Sequence, residues 1–178
     1  MPVPKADEPK SMPVLANRKV VTLKKVLVPL DFSDYASAAV DYAMTIAGQA
    51  DAQVALLYVV EIPRYQLNLE LYSAAERIRS TLNEMATKAM ERLDSLCKEI
   101  RTTVACTASV RIGVPYEEIL NEAEKVGPDL IVLGGKGVSA LARMVLGTTA
   151  SQVVRFAQCS VLVARHSPDQ SPPEPAQS

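Results

Sequence analysis

Cysteine is scarce in this chain, and its placement does not favour covalent or metal chemistry. The three residues, Cys97, Cys106 and Cys159, are odd in number and far apart. Their spacing offers neither a metal-ligand pattern nor a disulfide framework, so small core hydrophobes in a reducing compartment are expected. Histidine is scarcer still. The only one, His166, falls at the start of the C-terminal tail, away from any place for a general base. Long apolar runs are missing as well: none approaches the roughly 20 residues a bilayer-crossing helix needs. The opening MPVPKADEPK has no apolar segment of the kind a signal peptide requires. Nor is there a charge imbalance, because 19 Lys and Arg face 20 Asp and Glu for a net charge of -1. Without a global field the chain is not drawn to nucleic acid or to an anionic membrane. These absences leave a soluble cytoplasmic protein as the expectation, with no nucleic-acid and no membrane partner.

What is present suits one domain. The 178 residues are 48% apolar and 22% charged, enough for a single sustained core. Eight of the 12 prolines (Pro2, Pro4, Pro9, Pro13, Pro168, Pro172, Pro173 and Pro175) lie near the two ends. Residues 1–20 and 166–178 therefore read as flexible tails around a domain at 21–165, since proline donates no amide hydrogen and these stretches carry few large apolar groups.

Inside that domain apolar runs alternate with helical patterns. Lys25–Leu30 and Gln53–Val60 read as buried strands. Between them Ser33 is placed to cap a helix that Gly48 would end, with Ala36, Ala39, Val40, Ala43, Ile46 and Ala47 on one face. An irregular connection with Pro63 leads to a long helix. Its stripe Leu71, Ala75, Ile78, Leu82, Met85, Ala89, Leu93, Leu96 and Ile100 suits a face laid on a sheet, a coiled-coil seam being the alternative. The third strand, Val104–Ile112, alternates Cys106, Ala108, Val110 and Ile112 with Thr107, Ser109 and Arg111, so one of its faces looks wet, as at a sheet edge. Pro115 opens the next helix and Gly127 closes it. Asp129–Leu133 is the fourth strand, a helix starts near Thr148, and Ser160–Ala164 is the fifth strand. Such alternation forces an α/β fold with a five-stranded parallel sheet and helices on both faces. The two most apolar strands belong in the middle, which gives the order 3-2-1-4-5 and a ligand crevice between strands one and four.

Chemistry concentrates after strand four, in Gly134-Gly135-Lys136-Gly137 and then Gly147-Thr148-Thr149. Glycine permits a positive φ and a close approach of amides to a phosphate, while the helix opening at Thr148 offers free N–H groups and a favourable dipole. The alternative is that these glycines only cap a strand and begin a helix. The segment is neither a P-loop nor G-x-G-x-x-G. Asp31, at the end of strand one, is placed either to cap Ser33 and its helix or to hold Mg²⁺ beside a triphosphate. Lys136 screens a phosphate or points into water, and Arg143 is a weaker phosphate candidate. Strand five, with Val161-Leu162-Val163 and neither charge nor proline, would leave an apolar edge that invites a second copy, the alternative being that the C-terminal tail folds back loosely to cover it.

The stretch from Lys24 to about Arg165 resembles the universal stress protein family. Its ATP-binding branch carries G-x2-G-x9-G-(S/T), matched here by Gly134, Gly137, Gly147 and Thr148. Val28-Pro29-Leu30-Asp31-Phe32-Ser33 and Leu56-Leu57-Tyr58-Val59-Val60-Glu61 resemble the family's first two strands. The resemblance implies a Rossmann-like, adenine nucleotide alpha hydrolase-like fold that binds ATP with Mg²⁺. It implies that the Val59 backbone holds adenine, that Pro29 lines the base pocket, and that Asp31 lies near the ribose and phosphates. The phosphates would be held by Gly134, Gly135, Lys136, Gly137, Val138, Ser139, Gly147, Thr148 and Thr149. Gly135 stands where the family commonly has serine or threonine, which removes one hydroxyl. The family also implies a homodimer through the last strand and a regulatory role in stress response, with nucleotide occupancy read by a protein partner. A slow or partner-dependent ATPase is the alternative, although no positioned general base or carboxylate pair is evident. A receiver domain would need an aspartate at the end of strand three, where Ile112-Gly113-Val114 stands. A flavodoxin would need a Ser/Thr-rich loop in place of Asp31-Phe32-Ser33-Asp34.

Overall fold

The computed structural model describes residues 22–62, 72–135 and 146–165. In chain order the elements are β1 (Lys25–Pro29), α1 (Asp34–Ala50), β2 (Gln53–Glu61), α2 (Tyr72–Ile100), β3 (Cys106–Gly113), α3 (Pro115–Val126), β4 (Leu130–Gly134), α4 (Thr148–Phe156) and β5 (Ser160–Ala164). All strands pair in parallel in the order β3-β2-β1-β4-β5, as the alternation requires.

Strand residues two apart share a face, and the apolar sets divide accordingly. Val26, Val28, Val54, Leu56, Leu130 and Val132 pack under Ala36, Ala39, Ala43 and Ala47 of α1 and Leu93, Cys97 and Ile100 of α2. Leu27, Leu57, Ile131 and Leu133 pack on the opposite face, under Ile119 of α3 and Ala150 and Val153 of α4. Because both faces are covered, the central strands are uniformly apolar.

Local signals explain most helix ends. The Ser33 hydroxyl accepts the Ala36 N–H at 3.3 Å, Pro115 stands in the first turn of α3, and Gly127 ends it with φ +61°. Gly48 does not end α1. The helix continues to Ala50, and Asp51 takes the left-handed position at φ 52° while its helix-end amide neighbour Ala52 bonds back to the Ala47 carbonyl at 2.9 Å. Aspartate tolerates that conformation better than most residues, and so replaces glycine there.

Two further expectations are corrected. The third strand's polar face is not simply wet, because α3 lies over it. Buried Glu122 receives the Arg111 guanidinium, with Nε at 2.8 Å, and the Ser109 hydroxyl at 3.2 Å. A charge so buried needs such partners. Nor are all the cysteines plain core hydrophobes: Cys97 and Cys106 form a disulfide, with Cα atoms 5.5 Å apart. The turn after α2 folds the start of β3 back against the helix end, a proximity that nine residues of separation did not reveal. Cys159 is free and half-buried, and burial pushes its thiol above the ordinary value.

At the amino end of the sheet, Asp129 ties β1 to β4. Its Oδ2 accepts the backbone N–H groups of Lys24 at 2.7 Å and Lys25 at 3.0 Å, which hold its carboxyl below the usual range. Its own N–H donates to the Lys25 carbonyl at 3.0 Å. Among the described residues no helix is long and apolar enough to cross a membrane.

Candidate nucleotide site

The sheet opens at its other end. The β1–β4 ladder contains only the pairs Val26↔Leu130 and Leu27↔Ile131. By contrast, β1 stays paired with β2 as far as Pro29↔Leu57, and β4 with β5 as far as Gly134↔Ala164. The two halves of the sheet therefore part toward their carboxyl ends, where the winding direction reverses and ligands of such sheets sit.

Each wall of this opening has a distinct chemistry. On the β2 side, Val54 donates its N–H to Ala105 at 2.8 Å and Ile62 donates to Gly113 at 3.0 Å, whereas the Leu57 carbonyl accepts from Leu30 at 2.9 Å. Backbone groups alternate sides along a strand, so even-numbered β2 residues address β3 and odd-numbered ones address β1. Val59 thus turns its N–H and C=O toward the β1 side, beyond Pro29, where β1 has ended. A donor and an acceptor side by side suit the edge of a purine. Pro29 itself is buried.

The corner after β1 is tightly held. Asp31 Oδ1 accepts the Ser33 N–H at 3.1 Å and the Ser33 hydroxyl at 2.5 Å. The capping role weighed for Asp31 is therefore present in this structure. Between them Phe32 takes φ 58°, a costly conformation for a bulky residue, which persists only where its surroundings fix it. Its ring stacks on Tyr58 at 5.1 Å, and the Arg92 guanidinium lies 3.8 Å above the ring. Sequence reasoning passed over this stack. Its only signal was an aromatic residue between two turn-forming polar ones.

On the β4 side the two glycine clusters meet. The Gly147 N–H donates to the Gly135 carbonyl at 3.0 Å, and the Gly135 N–H to the Ala164 carbonyl at 2.8 Å. Gly147 is the N-cap of α4 and has no side chain to cap it. The first-turn amides of Thr148 and Thr149 thus begin a helix beside Gly135, as an anion site requires. Among the described residues, however, the only glycine with positive φ is Gly127. Gly134 is needed for a different reason: a Cβ there would stand 2.9 Å from the Tyr35 carbonyl oxygen at the start of α1. Lys136, Gly137, Val138, Ser139, Arg143 and His166 lie outside the described residues.

Metal chemistry has one described candidate at the opening, Asp31. No cluster of three or more acidic, cysteine or histidine ligands occurs among the described residues. A single carboxylate at this corner is the number Mg²⁺ can use, since that ion takes one or two carboxylates and completes its shell with phosphate oxygens and water. A separate cavity of about 390 Å³ lies between α1 and α2. It is lined by Leu30, Val40, Met44 and Leu96, with Ser33, Asp41, Arg92 and Glu99 among its polar residues.

A parallel sheet in the order β3-β2-β1-β4-β5, with helices on both faces and its winding reversed between β1 and β4, places the chain in the doubly wound α/β class. The chain belongs to the universal stress protein family, whose model matches residues 22–165. A universal stress protein of Methanocaldococcus jannaschii is 34% identical over 142 residues, which cover 80% of this chain and 82% of that protein. The structure of universal stress protein UspA from Lactobacillus plantarum aligns with a TM-score of 0.73 at 30% identity, over 82% of this chain and all of that one. An Arabidopsis thaliana family member solved with AMP bound shares the fold at a TM-score of 0.56 and 22% identity, covering 87% of this chain and 99% of that one.

Proposed function

We propose that this chain binds ATP with Mg²⁺ in the opening between β1 and β4 and acts as a nucleotide-dependent regulator in a stress response. One observation carries the reading: the Gly147 to Gly135 hydrogen bond brings both glycine clusters to the start of α4, across from Asp31. In this reading the Val59 backbone pairs with adenine and Pro29 lines the base. Gly135, Gly147, Thr148 and Thr149 surround the phosphates, together with Lys136, Gly137, Val138 and Ser139 of the intervening loop. Asp31 supplies the carboxylate for Mg²⁺. The metal would neutralise phosphate charge, while the chain's own groups bind and orient the nucleotide. A protein partner reads the occupied state. In the cytoplasm the chain works as a homodimer paired along β5, whose residues Val161, Leu162 and Val163 are half-buried at the sheet edge.

Isothermal titration tests the reading. ATP is expected to bind in the micromolar range, about -8 kcal/mol, and Asp31→Ala to lose more affinity in Mg²⁺ than in EDTA. No heat of binding at millimolar ATP would overturn the nucleotide reading. Equal losses with and without metal would leave Asp31 as a turn residue only.

A further inference from the structure

The chain turns from β1 into α1 through a corner that hinges on one residue. Before it, Leu30 still donates its N–H to the Leu57 carbonyl at 2.9 Å. After it, Ser33 already caps α1. Between them Phe32 holds φ 58°, a region that bulky side chains rarely enter. In that conformation the Asp31 carboxylate reaches two residues forward to the Ser33 N–H and hydroxyl, an Asx turn. Among the described residues Phe32 itself makes no backbone hydrogen bond. What its ring meets therefore decides whether the corner keeps this shape.

The ring meets two partners from different elements. Tyr58 of β2 stacks on it with the planes 29° apart, and the Arg92 guanidinium of α2 lies 3.8 Å from its centre. Both supports are rigid. Tyr58 is paired with Val110 in the β2–β3 ladder. The helix α2 stands clear of the sheet from Glu76 to Lys88, where only Leu82 and Ala86 are half-buried and every other residue is exposed. From Ala89 onward it is anchored, with Ala89, Leu93, Cys97 and Ile100 buried. The expectation of one face laid along the sheet thus holds for the carboxyl half alone, and Arg92 stands in that half.

We propose that Phe32 is a positioning residue of the nucleotide site: its ring, seated against Tyr58 and Arg92, fixes the direction of the Asp31 carboxylate for metal-bound phosphates. The inference rests on the ATP and Mg²⁺ reading of the opening. Tyr58 directly precedes Val59, so one stack ties the corner that carries the carboxylate to the strand that pairs with adenine. A packed aromatic pair then sets the spacing between the two contacts. Groups held in place before a ligand arrives bind it more tightly than groups that must be ordered on binding.

Phe32→Gly is the informative change, because glycine accepts the positive φ without strain and only the ring is lost. Phe32→Asn, which also tolerates the left-handed region, guards against effects peculiar to glycine. If the freed carboxylate points correctly about a tenth of the time, the apparent affinity for ATP falls about tenfold. Isothermal titration should show that loss in Mg²⁺ and a much smaller one in EDTA, and Phe32→Tyr should restore binding. In Mg²⁺, Asp31→Ala combined with Phe32→Gly should lose no more than Asp31→Ala alone, since the ring acts through that carboxylate. Hydrogen exchange of the nucleotide-free protein, followed by NMR, reads the corner without a ligand: the Ser33 N–H should exchange faster in Phe32→Gly than in wild type. Unchanged affinity in both ring-less variants, equal losses in Mg²⁺ and EDTA, additive losses in the double variant, or an equally protected Ser33 N–H would each overturn the positioning role. A wild-type protein that binds no ATP overturns the nucleotide reading instead, while the exchange comparison still decides whether the ring holds the corner.

Discussion

Gly134→Ala separates the packing role of this glycine from a phosphate-binding one. The added methyl carbon would lie 2.9 Å from the Tyr35 carbonyl oxygen, 3.0 Å from its carbonyl carbon and 3.3 Å from its Cβ. Two of these are backbone atoms in the first turn of α1, so they cannot rotate aside as a side-chain tip would. Relief requires β4 and α1 to move apart by several tenths of an ångström. Overpacking of this kind costs about 1–3 kcal/mol. The narrower unfolded ensemble of alanine returns roughly 0.4–1 kcal/mol. The net expectation is a loss of about 1–2 kcal/mol, which for a protein of this size lowers Tm by roughly 2–8 °C. Gly135→Ala should cost less, because its nearest neighbours, the Ala164 carbonyl oxygen and Val163 Cγ1, are both at 3.3 Å. Gly48→Ala serves as the control: nothing lies within 4 Å, and the position is helical, so up to about 1 kcal/mol should be gained. Thermal and urea unfolding without nucleotide should rank the proteins Gly134→Ala, Gly135→Ala, wild type, Gly48→Ala in rising stability. A Gly134→Ala protein as stable as wild type would refute the packing argument.

Reduction of the Cys97–Cys106 disulfide, or its removal as Cys106→Ala, opens a short loop and should cost about 2–3 kcal/mol by chain-entropy reasoning. A melting temperature indifferent to reductant would show that the bond adds nothing. The Asp129 carboxyl is held below the ordinary 3.8 in the folded chain, so its contribution is fully present above that value and is lost as pH falls through the lowered one. Asp129→Asn should therefore be less stable at neutral pH and should lose less on acidification, as chemical denaturation followed from pH 7 into the acid range would reveal.

The fold was legible because its determinants are periodic. Apolar runs such as Val26-Leu27-Val28 and Leu130-Ile131-Val132 can only be buried on both faces, and Pro115 and Gly127 mark helix ends through fixed backbone preferences. What was hidden depends on approach in space rather than on spacing in the chain. The Cys97–Cys106 bond and the Glu122 carboxylate under Arg111 and Ser109 exist only once β3 lies against α2 and α3. The α2 stripe was read correctly as apolar, but a stripe does not say where its covering ends. In the opening, the glycine motif raised the expectation of a phosphate loop, whereas the reason Gly134 must lack a side chain is the Tyr35 carbonyl opposite, which no local pattern encodes.

The hydrogen bond from Gly147 to Gly135 has a consequence for how the segment between them can vary. That bond holds together the two ends of an eleven-residue stretch, so the ends meet independently of how many residues lie between them. Closing a flexible ring twice as long costs only about 0.6 kcal/mol more, far less than disturbing a strand. Insertions or deletions between these glycines should therefore cost little stability while changing how much chain the proposed phosphate site has to draw on. Evolution or an engineer could retune ligand preference there by changing length alone, without repacking a single core residue.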